Sequence, residues 1–244
     1  MKLILLSDTH FIRGEESLNK VNPQTNLESI ITCINEKHAD ADLCLITGDL
    51  TDIGDRLAFQ DLCRCLRKLK IPFRLLIGNH DNRNNFISVF PEQETDQNDF
   101  VQATITTSFG KIILLDTYHP GSLAGWYCKK RQLWLKGQLE FSDKHSILLF
   151  MHHPPSDIYL PNYSNLGKQE PLTFEHFLSP YQNRIRHIFF GHIHSIRSGL
   201  WLNIPFTSLP STAFYRRDVP KEEQYCYAVA TVDKNNLDIQ LQTL

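Results

Sequence analysis

The 244-residue sequence has no long hydrophobic run and no excess of positive charge. No segment approaches the ~18 apolar residues of a membrane-spanning helix, and the apolar run at 3–6 is shorter than the ~7–15 residues of a signal-peptide core. The formal net charge is −2, which gives no basic footprint for nucleic acid. We therefore expect neither a membrane nor a nucleic-acid polymer as a partner.

Cysteine is scarce, and its six copies include no CxxC pair. Cys33, Cys44 and Cys226 lie in apolar segments, where a free thiol behaves as a small core residue. Together with the missing secretory context, this indicates reduced thiols and a cytoplasmic location. The sequence also lacks an internal repeat, a low-complexity tract and a linker, so we expect one domain over residues 1–244.

The first third of the chain alternates apolar runs of strand length with segments of helical periodicity. Strands are predicted at 2–7, 42–47 and 73–77, and helices at 23–37 and 54–69. This order predicts a parallel sheet covered by helices.

The rest of the chain reads as further strands and short helices. We predict, in order, a hairpin over 100–107 and 111–115, a helix at 133–141, a strand at 146–151, a short helix at 172–178 and a strand at 186–190. The tail at 196–204, 206–209, 225–232 and 237–241 is expected to form strands of a second sheet. Loops are expected at 11–22, 118–129 and 156–170.

Polar side chains follow five of the predicted strands at the point where each strand ends. Because the carboxyl ends of parallel strands meet at one edge of a sheet, these side chains are expected to lie together. The spacing of two in Asp-x-His and His-x-His would place both members of a pair on one face of a regular strand. The five ends carry Asp8 and His10, Asp49, Asn79 and His80, His152, and His192 and His194.

Carboxylate, imidazole and amide groups without a thiolate suit Mn, Fe, Zn or Co better than Ca. A turn is the alternative explanation for polar residues at any single strand end, since Asn and Asp favour turns. Turns do not explain five strand ends that all carry such residues. Seven ligands exceed the need of one ion with an open position, so we expect two ions about 3.5–4 Å apart. Asp49, alone on its strand end, is the expected bridge between them.

These blocks, in this order, resemble the calcineurin-like metallophosphoesterase superfamily. All five motifs are present: Asp8-Thr9-His10, Gly48-Asp49, Gly78-Asn79-His80-Asp81, His152 and Gly191-His192-Ile193-His194. The resemblance implies an α/β fold, a four-layer αββα sandwich of two mixed β-sheets flanked by helices. It also implies a division of ligands: Asp8, His10 and His194 on one metal, Asn79, His152 and His192 on the other, and Asp49 on both.

Within that superfamily, a short chain with Gly78-Asn79-His80-Asp81 is similar to class III cyclic-nucleotide phosphodiesterases and glycerophosphodiesterases. Residues 115–117, Gly125 and residues 132–135 fit the same subgroup, although apolar residues at 133–135 also suit a helix core. The resemblance implies hydrolysis of a small phosphodiester, with 3′,5′-cyclic AMP as the first candidate. A glycerophosphodiesterase, a phosphomonoesterase and a non-catalytic binding scaffold are the alternatives, and the complete ligand set argues against the last.

Two ions that share a carboxylate would neutralise a phosphodiester and acidify a water, whose hydroxide is the expected nucleophile. His80 is not assigned to a metal and is expected to donate a proton or a hydrogen bond to the departing or non-bridging oxygen. Asp81 either holds the imidazole of His80 in one tautomer or caps the helix that begins near Asn82. His153 is open to an orienting, a substrate-binding or a structural role.

Loop 118–129 carries Tyr118, His119, Trp126 and Tyr127, flat side chains that either stack on a purine base or anchor the loop to the core. Because the loops other than 11–22, 118–129 and 156–170 are short and no large cap is evident, a compact diester is the expected substrate. The sequence leaves the oligomeric state open, a homodimer included. Surface or structural roles are expected for His38, His145, His176 and His187.

Overall fold

The structure is a computed structural model, and it describes residues 1–13, 22–140, 142–144, 146–159, 173–213, 224 and 226–244. For residues 158 and 159 it describes the backbone only. Most of the predicted loops at 11–22 and 156–170 lies outside the described residues. The same holds for His145 and for the predicted helix end at Phe141.

Strands and helices alternate along most of the described chain. The strands are β1 (Lys2–Leu6), β2 (Leu43–Ile46), β3 (Phe73–Leu75), β4 (Ala103–Thr107), β5 (Gly110–Leu114), β6 (Gly125–Trp126), β7 (Ile147–Phe150), β8 (Ile158–Tyr159), β9 (Ile185–Phe190), β10 (Ser198–Trp201), β11 (Ile204–Ser208), β12 (Tyr227–Val232) and β13 (Leu237–Gln242). The α-helices are α1 (Pro23–Lys37), α2 (Arg56–Leu66), α3 (Arg83–Val89), α4 (Lys129–Glu140) and α5 (Phe174–Leu178), with 3₁₀ turns at Pro155–Asp157 and Ser179–Arg184.

The first sheet has the strand order β13-β12-β1-β2-β3. Strands β1, β2 and β3 are parallel, as predicted, with Leu3 opposite Leu43 and Cys44 opposite Phe73. On its other side β1 pairs antiparallel with β12, and Leu3 lies opposite Ala230. The expectation that the whole tail belongs to a second sheet is therefore wrong for β12 and β13, which complete the first sheet.

The second sheet has the order β10-β11-β9-β7-β5-β4. Its centre is parallel, from β5 through β7 and β9 to β11, and β4 and β10 pair antiparallel at the two edges. Leu202 and Asn203 form the turn between β10 and β11, both with positive φ (52° and 59°), as a tight hairpin requires. The tail strands β10 and β11 thus join the second sheet, as predicted, but the single strand predicted at 196–204 is wrong, because β10 ends at Trp201 and the chain turns there into β11.

The two sheets pack face to face, and helices cover both outer faces. The layer between the sheets joins Leu5 and Leu45 to Leu114, Phe150 and Phe189. On the outer faces, α1, α2 and α3 bury Leu27, Phe59 and Phe86 against the first sheet, and α4 and α5 bury Leu135 and Phe174 against the second. The predicted four-layer αββα sandwich is confirmed. None of the described helices has the length and apolar character to cross a membrane.

Helix α1 shows why local signals placed some elements correctly. The Asn22 side chain caps it by accepting hydrogen bonds from the backbone N–H groups of Gln24 and Thr25. Pro23 occupies the first turn, where its missing N–H costs nothing, and Lys37 lies at the negative end of the helix dipole. The helix therefore begins and ends at the predicted residues.

Candidate metal centre

The seven predicted metal ligands lie at one edge of the sandwich, just beyond the carboxyl ends of five strands. The first sheet contributes Asp8 and His10 after β1, Asp49 after β2 and Asn79 after β3, and the second contributes His152 after β7 and His192 and His194 after β9. Backbone hydrogen bonds join neighbouring strand ends, for example from His10 N to Asp49 O at 2.9 Å. The site is thus assembled from both sheets.

Left-handed backbone conformation, not strand geometry, directs most of these side chains. Five of them have positive φ: Asp8 (52°), His10 (37°), Asp49 (46°), His192 (68°) and His194 (49°). The expectation that the two spaced pairs alternate on regular strands is wrong, because β1 ends at Leu6 and β9 at Phe190. Each such conformation costs about 1–3 kcal/mol, so its repetition at one edge indicates a site that the surrounding fold holds in place.

Gly78 allows the ends of β2, β3 and β7 to approach closely. A Cβ atom at this position would overlap Oδ1 of Asp49 and would lie 2.7 Å from Cε1 of His152. The glycine therefore provides the space into which the Asp49 carboxylate fits. A side chain here would displace the proposed bridge.

One group of donors comprises Asp8, His10, Asp49 and His194, whose ligand atoms all lie within 4.8 Å of one another. Nε2 of His194 is 3.2 Å from Oδ1 of Asp8 and 3.0 Å from Nε2 of His10. Nε2 of His10 is 3.7 Å from Oδ2 of Asp49. Two imidazole nitrogens and two carboxylates therefore face a common point.

A second group lies on the other side of Asp49. Oδ1 of Asn79 is 2.8 Å from Nδ1 of His192 and 3.1 Å from Nε2 of His152. Nε2 of His152 is in turn 3.3 Å from Oδ2 of Asp49. The same carboxylate oxygen of Asp49 thus faces both groups of donors.

These donors fit divalent cations. Asp8 and Asp49 are almost completely buried, and buried carboxylates are normally paired or bound to metal. In the described part of the chain their ion-pair partners are histidines. Neutral imidazoles and buried carboxylates that converge in this way offer the nitrogen and oxygen ligands preferred by Mn, Fe, Zn and Co.

The electrostatics of the site follow from the close approach of carboxylate and imidazole. Burial raises the pKa of the Asp49 carboxyl, but the neighbouring His152 and His10 outweigh burial and hold this pKa well below its ordinary value. Burial lowers the pKa of His152, but the charge of Asp49 outweighs it and raises that pKa to about 9. Protons therefore compete with metal for His152, because only a neutral imidazole can be a ligand.

Asp81 has neither of the roles predicted for it. Its carboxylate accepts hydrogen bonds from the backbone N–H groups of Gly78 (2.9 Å), Leu50 (3.0 Å) and Thr51 (2.9 Å). The capping prediction is wrong because Asn82 caps α3. Burial, followed by the charge of Asp49, raises the pKa of Asp81 to about 7 despite these donors. The residue ties the segment after Asp49 to the segment before Asn79.

Asp52 is the partner of His80, and the sequence reasoning missed it. Nδ1 of His80 donates to the backbone carbonyl of Asp52 at 2.7 Å, and the Asp52 carboxylate is 3.3 Å from Nδ1 of His10. His80 also donates its backbone N–H to Oδ1 of Asp49 at 2.9 Å. The sequence signal for Asp52 is a second carboxylate three residues after Asp49, but this carboxylate does not directly follow a strand.

His153 is buried beside the second group of donors. Its Nδ1 is 2.8 Å from Oγ1 of Thr117, and its Nε2 has no hydrogen-bond partner among the described residues. Its ring centroid lies 4.9 Å from that of His192 and 4.8 Å from that of His152. Burial holds its pKa well below the ordinary value. The ring of His153 thus packs against two predicted ligands, and one of its nitrogens lies within 4.8 Å of a ligand nitrogen of each.

A buried ion-pair network fixes the segment just before Thr117, the residue that lies against the ring of His153. Asp116, fully buried, accepts two hydrogen bonds from Arg83, each 2.8 Å long. Arg131 donates to the backbone carbonyl of Asp116 at 2.6 Å. Helix α3, which follows His80, is thereby fixed to the segment after β5 and to helix α4.

Comparison with known proteins agrees with this geometry. A sequence model described as calcineurin-like phosphoesterase matches residues 1–195, which include every predicted ligand. A protein of Rhodopseudomonas palustris named as a probable cyclic nucleotide phosphodiesterase is 32% identical over 209 residues, 84% of this chain and 76% of the relative. A protein of Arcobacter nitrofigilis named as a probable glycerophosphodiester phosphodiesterase is 31% identical, with coverage of 84% and 76%.

The fold has counterparts among solved structures. A purple acid phosphatase from yellow lupin seeds superposes with a TM-score of 0.66 at 12% identity, covering 99% of this chain and 51% of that one. Such low identity shows a common fold alone. The sequence match over most of the chain shows more, and the chain belongs to the calcineurin-like phosphoesterase family.

Proposed function

We propose that this protein hydrolyses small phosphodiesters, cyclic AMP or a similar compact diester, with the help of two divalent metal ions. The observation that carries the proposal is the pair of donor groups on either side of Asp49, whose Oδ2 is 3.7 Å from Nε2 of His10 and 3.3 Å from Nε2 of His152. A carboxylate oxygen in this position suits a bridge between two ions.

In this proposal each donor group holds one ion. Asp8, His10 and His194 would hold the first, Asn79, His152 and His192 the second, and Asp49 both. Bound there, the ions would neutralise the negative charge of the diester and acidify a water. The five left-handed backbone conformations and the Asp81 hydrogen bonds support the assignment, because they keep the ligands in place around the ions.

His80 would assist departure of the leaving group. A carbonyl oxygen only accepts, so the 2.7 Å contact with Asp52 assigns a proton to Nδ1 and leaves Nε2 to face the substrate. With a second proton on Nε2, the cationic ring would donate that proton, or a hydrogen bond, to the departing or non-bridging oxygen and would return to the neutral form with its proton on Nδ1. Such help is worth about 10²–10⁴-fold in rate. His80 is half-buried and its ring lies 4.8 Å from that of His10, within reach of the proposed ions.

Diesters are proposed over monoesters because the two relatives described above carry the names of diesterases. A glycerophosphodiester is the second candidate substrate, since one of these names specifies that class. Cytoplasmic action is proposed on the strength of six free cysteines, five of them buried.

A substrate panel tests the proposal. The purified protein, loaded with Mn²⁺, would be assayed at fixed pH with cyclic AMP, cyclic GMP, glycerophosphoethanolamine, glycerophosphocholine and the corresponding monoesters. We expect the highest kcat/KM for a cyclic nucleotide. A glycerophosphodiester as the best substrate would keep the diesterase assignment and change the substrate, whereas a monoester as the best substrate would contradict the proposal.

A further inference from the structure

The loop between β5 and α4 packs on His153, whose ring neighbours the second donor group. Thr117, at its start, is 2.8 Å from the ring of His153. Gly125 packs on the same ring so closely that a Cβ there would lie 2.9 Å from Cγ of His153. The backbone of Leu123 also lies beside this ring. Because the His153 ring is 4.9 Å from that of His192, the loop borders the place where a substrate would bind.

The loop divides its side chains between the core and the surface. Tyr118 is 7% exposed and Tyr127 is fully buried, the latter packed on Phe174 with ring centroids 5.5 Å apart. These two anchor the loop and are not available to a ligand. His119 and Trp126 are only half-buried, with ring centroids 5.2 Å apart and planes tilted by 39°.

Leu123 adds an exposed apolar side chain to the same loop. It is 73% exposed, although it lies between residues that are fixed by the fold. We call the surface of His119, Leu123 and Trp126 the 119–126 face. An exposed leucine is ordinary by itself, but here its backbone lies beside His153 and it belongs to the same short loop as the tilted ring pair of His119 and Trp126.

Hydrogen bonds make the 119–126 face rigid. Trp126 N donates to Thr117 O at 3.0 Å, and Ser122 N donates to His119 O at 3.2 Å. Strand β6 pairs with β8, which places Gly125 opposite Ile158 and Trp126 opposite Tyr159. A rigid apolar face binds a flat group with little loss of conformational entropy.

We propose that the 119–126 face is the subsite for a flat, aromatic ester group of the substrate, such as a nucleobase. The subsite would favour diesters that carry an aromatic ring over diesters of aliphatic alcohols, because a ring can stack on the His119–Trp126 pair and cover Leu123. The inference rests on the proposed diesterase function and specifies which diesters the site prefers.

The test compares two classes of diester in variants of this face. His119→Ala, Leu123→Ser and their combination would be assayed with Mn²⁺ on cyclic AMP and bis(p-nitrophenyl) phosphate, and on glycerophosphoethanolamine as the aliphatic diester. Leu133→Ser is the matched control, because Leu133 is 57% exposed on α4 and takes no part in the face. Metal content and thermal unfolding would confirm that every variant is folded and loaded.

We expect the double variant to lose about tenfold in kcat/KM on the aromatic diesters, mainly through KM, since stacking on one base is worth about 5- to 150-fold in binding. The aliphatic diester should change less than twofold, and Leu133→Ser should match the wild type throughout. An equal loss on both classes, or no loss on either, would overturn the subsite. Absence of all diester hydrolysis in the wild-type protein would instead overturn the proposed function and, with it, the subsite.

Discussion

At the scale of single residues, Asp49 is the group on which both sets of donors depend. Its carboxylate is the negative charge shared by His10 and His152. We predict that Asp49→Ala cannot hold two ions together, because the removal of the bridge leaves each set one ligand short. Metal analysis after dialysis should give at most one ion per chain, and Asp238→Ala, at an exposed carboxylate of β13, should match the wild type. Two tightly bound ions in Asp49→Ala would contradict the bridging role.

The role of His80 can be separated from metal binding, whereas the carboxylate of Asp52 also contacts the predicted ligand His10. We predict that His80→Ala keeps both ions and lowers kcat by about 10²–10⁴-fold, because the proton donor is lost. Asp52→Asn should lower kcat less, since the backbone carbonyl that holds Nδ1 of His80 remains. Metal content and kcat, measured on the same samples, check both expectations. Loss of metal from His80→Ala would show that His80 is a ligand.

Residue-level prediction from the sequence worked where a side chain directly follows a strand and failed where the partner is set by three-dimensional packing. Because parallel strands end at one edge of a sheet, the sequence correctly predicted that four side chains lie together: Asp8, Asp49, Asn79 and His152. Asp81 was assigned to His80 by adjacency, but its carboxylate points to backbone N–H groups instead. Left-handed φ at non-glycine ligands has no local sequence signal, since such conformations persist only when the surrounding fold imposes them.

At the scale of secondary-structure elements, capping and periodicity set the bounds of helix α1 but not those of α2 and α4, which differ from the predicted 54–69 and 133–141, and strand pairing depended on distant residues. Helix α1 was predicted to the residue because Asn22 and Pro23 mark its start. Strands β12 and β13 were correctly located but placed in the wrong sheet. In the first sheet β12 pairs with β1 and β13 pairs with β12, and nothing local to residues 227–242 specifies β1 as the partner.

Two glycines at element positions should respond to alanine in opposite ways. Gly78→Ala should abolish tight metal binding, because the new Cβ would overlap Oδ1 of Asp49. Gly137→Ala, inside α4 with nothing within 4 Å of a new Cβ, should raise the free energy of unfolding by roughly 0.5–1 kcal/mol. Metal content and chemical denaturation measure the two effects. Full metal binding by Gly78→Ala would show that the strand ends can separate.

Strand β9 carries a buried histidine that makes stability depend on pH. Nε2 of His187 is 3.0 Å from Oγ1 of Thr207, and burial, aided by the charge of Arg186, lowers the pKa of His187 to about 4. The ordinary pKa of histidine is near 6.5, so below that pH the unfolded chain binds a proton at this residue more readily than the folded protein does. The contribution of His187 to the free energy of unfolding is therefore fully present above pH 6.5 and is lost as pH falls from 6.5 towards 4.

The prediction compares the wild type with His187→Gln, which stays neutral. Between pH 7.5 and pH 5 the wild type should lose about 2 kcal/mol more unfolding free energy than the variant, on the order of 1.4 kcal/mol per pH unit below 6.5. Urea denaturation at both pH values, with metal removed from both proteins, measures the difference. Equal losses would show that His187 is charged or exposed in the folded state.

At the scale of the whole molecule, the proposed ions connect the two sheets. The first sheet contributes Asp8, His10, Asp49 and Asn79, and the second contributes His152, His192 and His194. Ions bound in excess of their dissociation constants stabilise the folded state, by about 2.7 kcal/mol at a hundredfold excess. We predict that a chelator lowers Tm by roughly 5–10 °C and that Mn²⁺ restores it. Asp49→Ala should show little shift, and an unchanged Tm in the wild type would contradict metal binding at the sheet edge.

The central position of β1 in the first sheet has a consequence for co-translational folding. Lys2 pairs with Thr231, so β1 is synthesised long before its antiparallel neighbour β12. Until β12 emerges, one edge of β1 has unpaired N–H and C=O groups, which is a hazard for aggregation. The Asp8 and His10 segment that follows β1 is therefore expected to take its final place late in folding, although it is translated before the other proposed ligands.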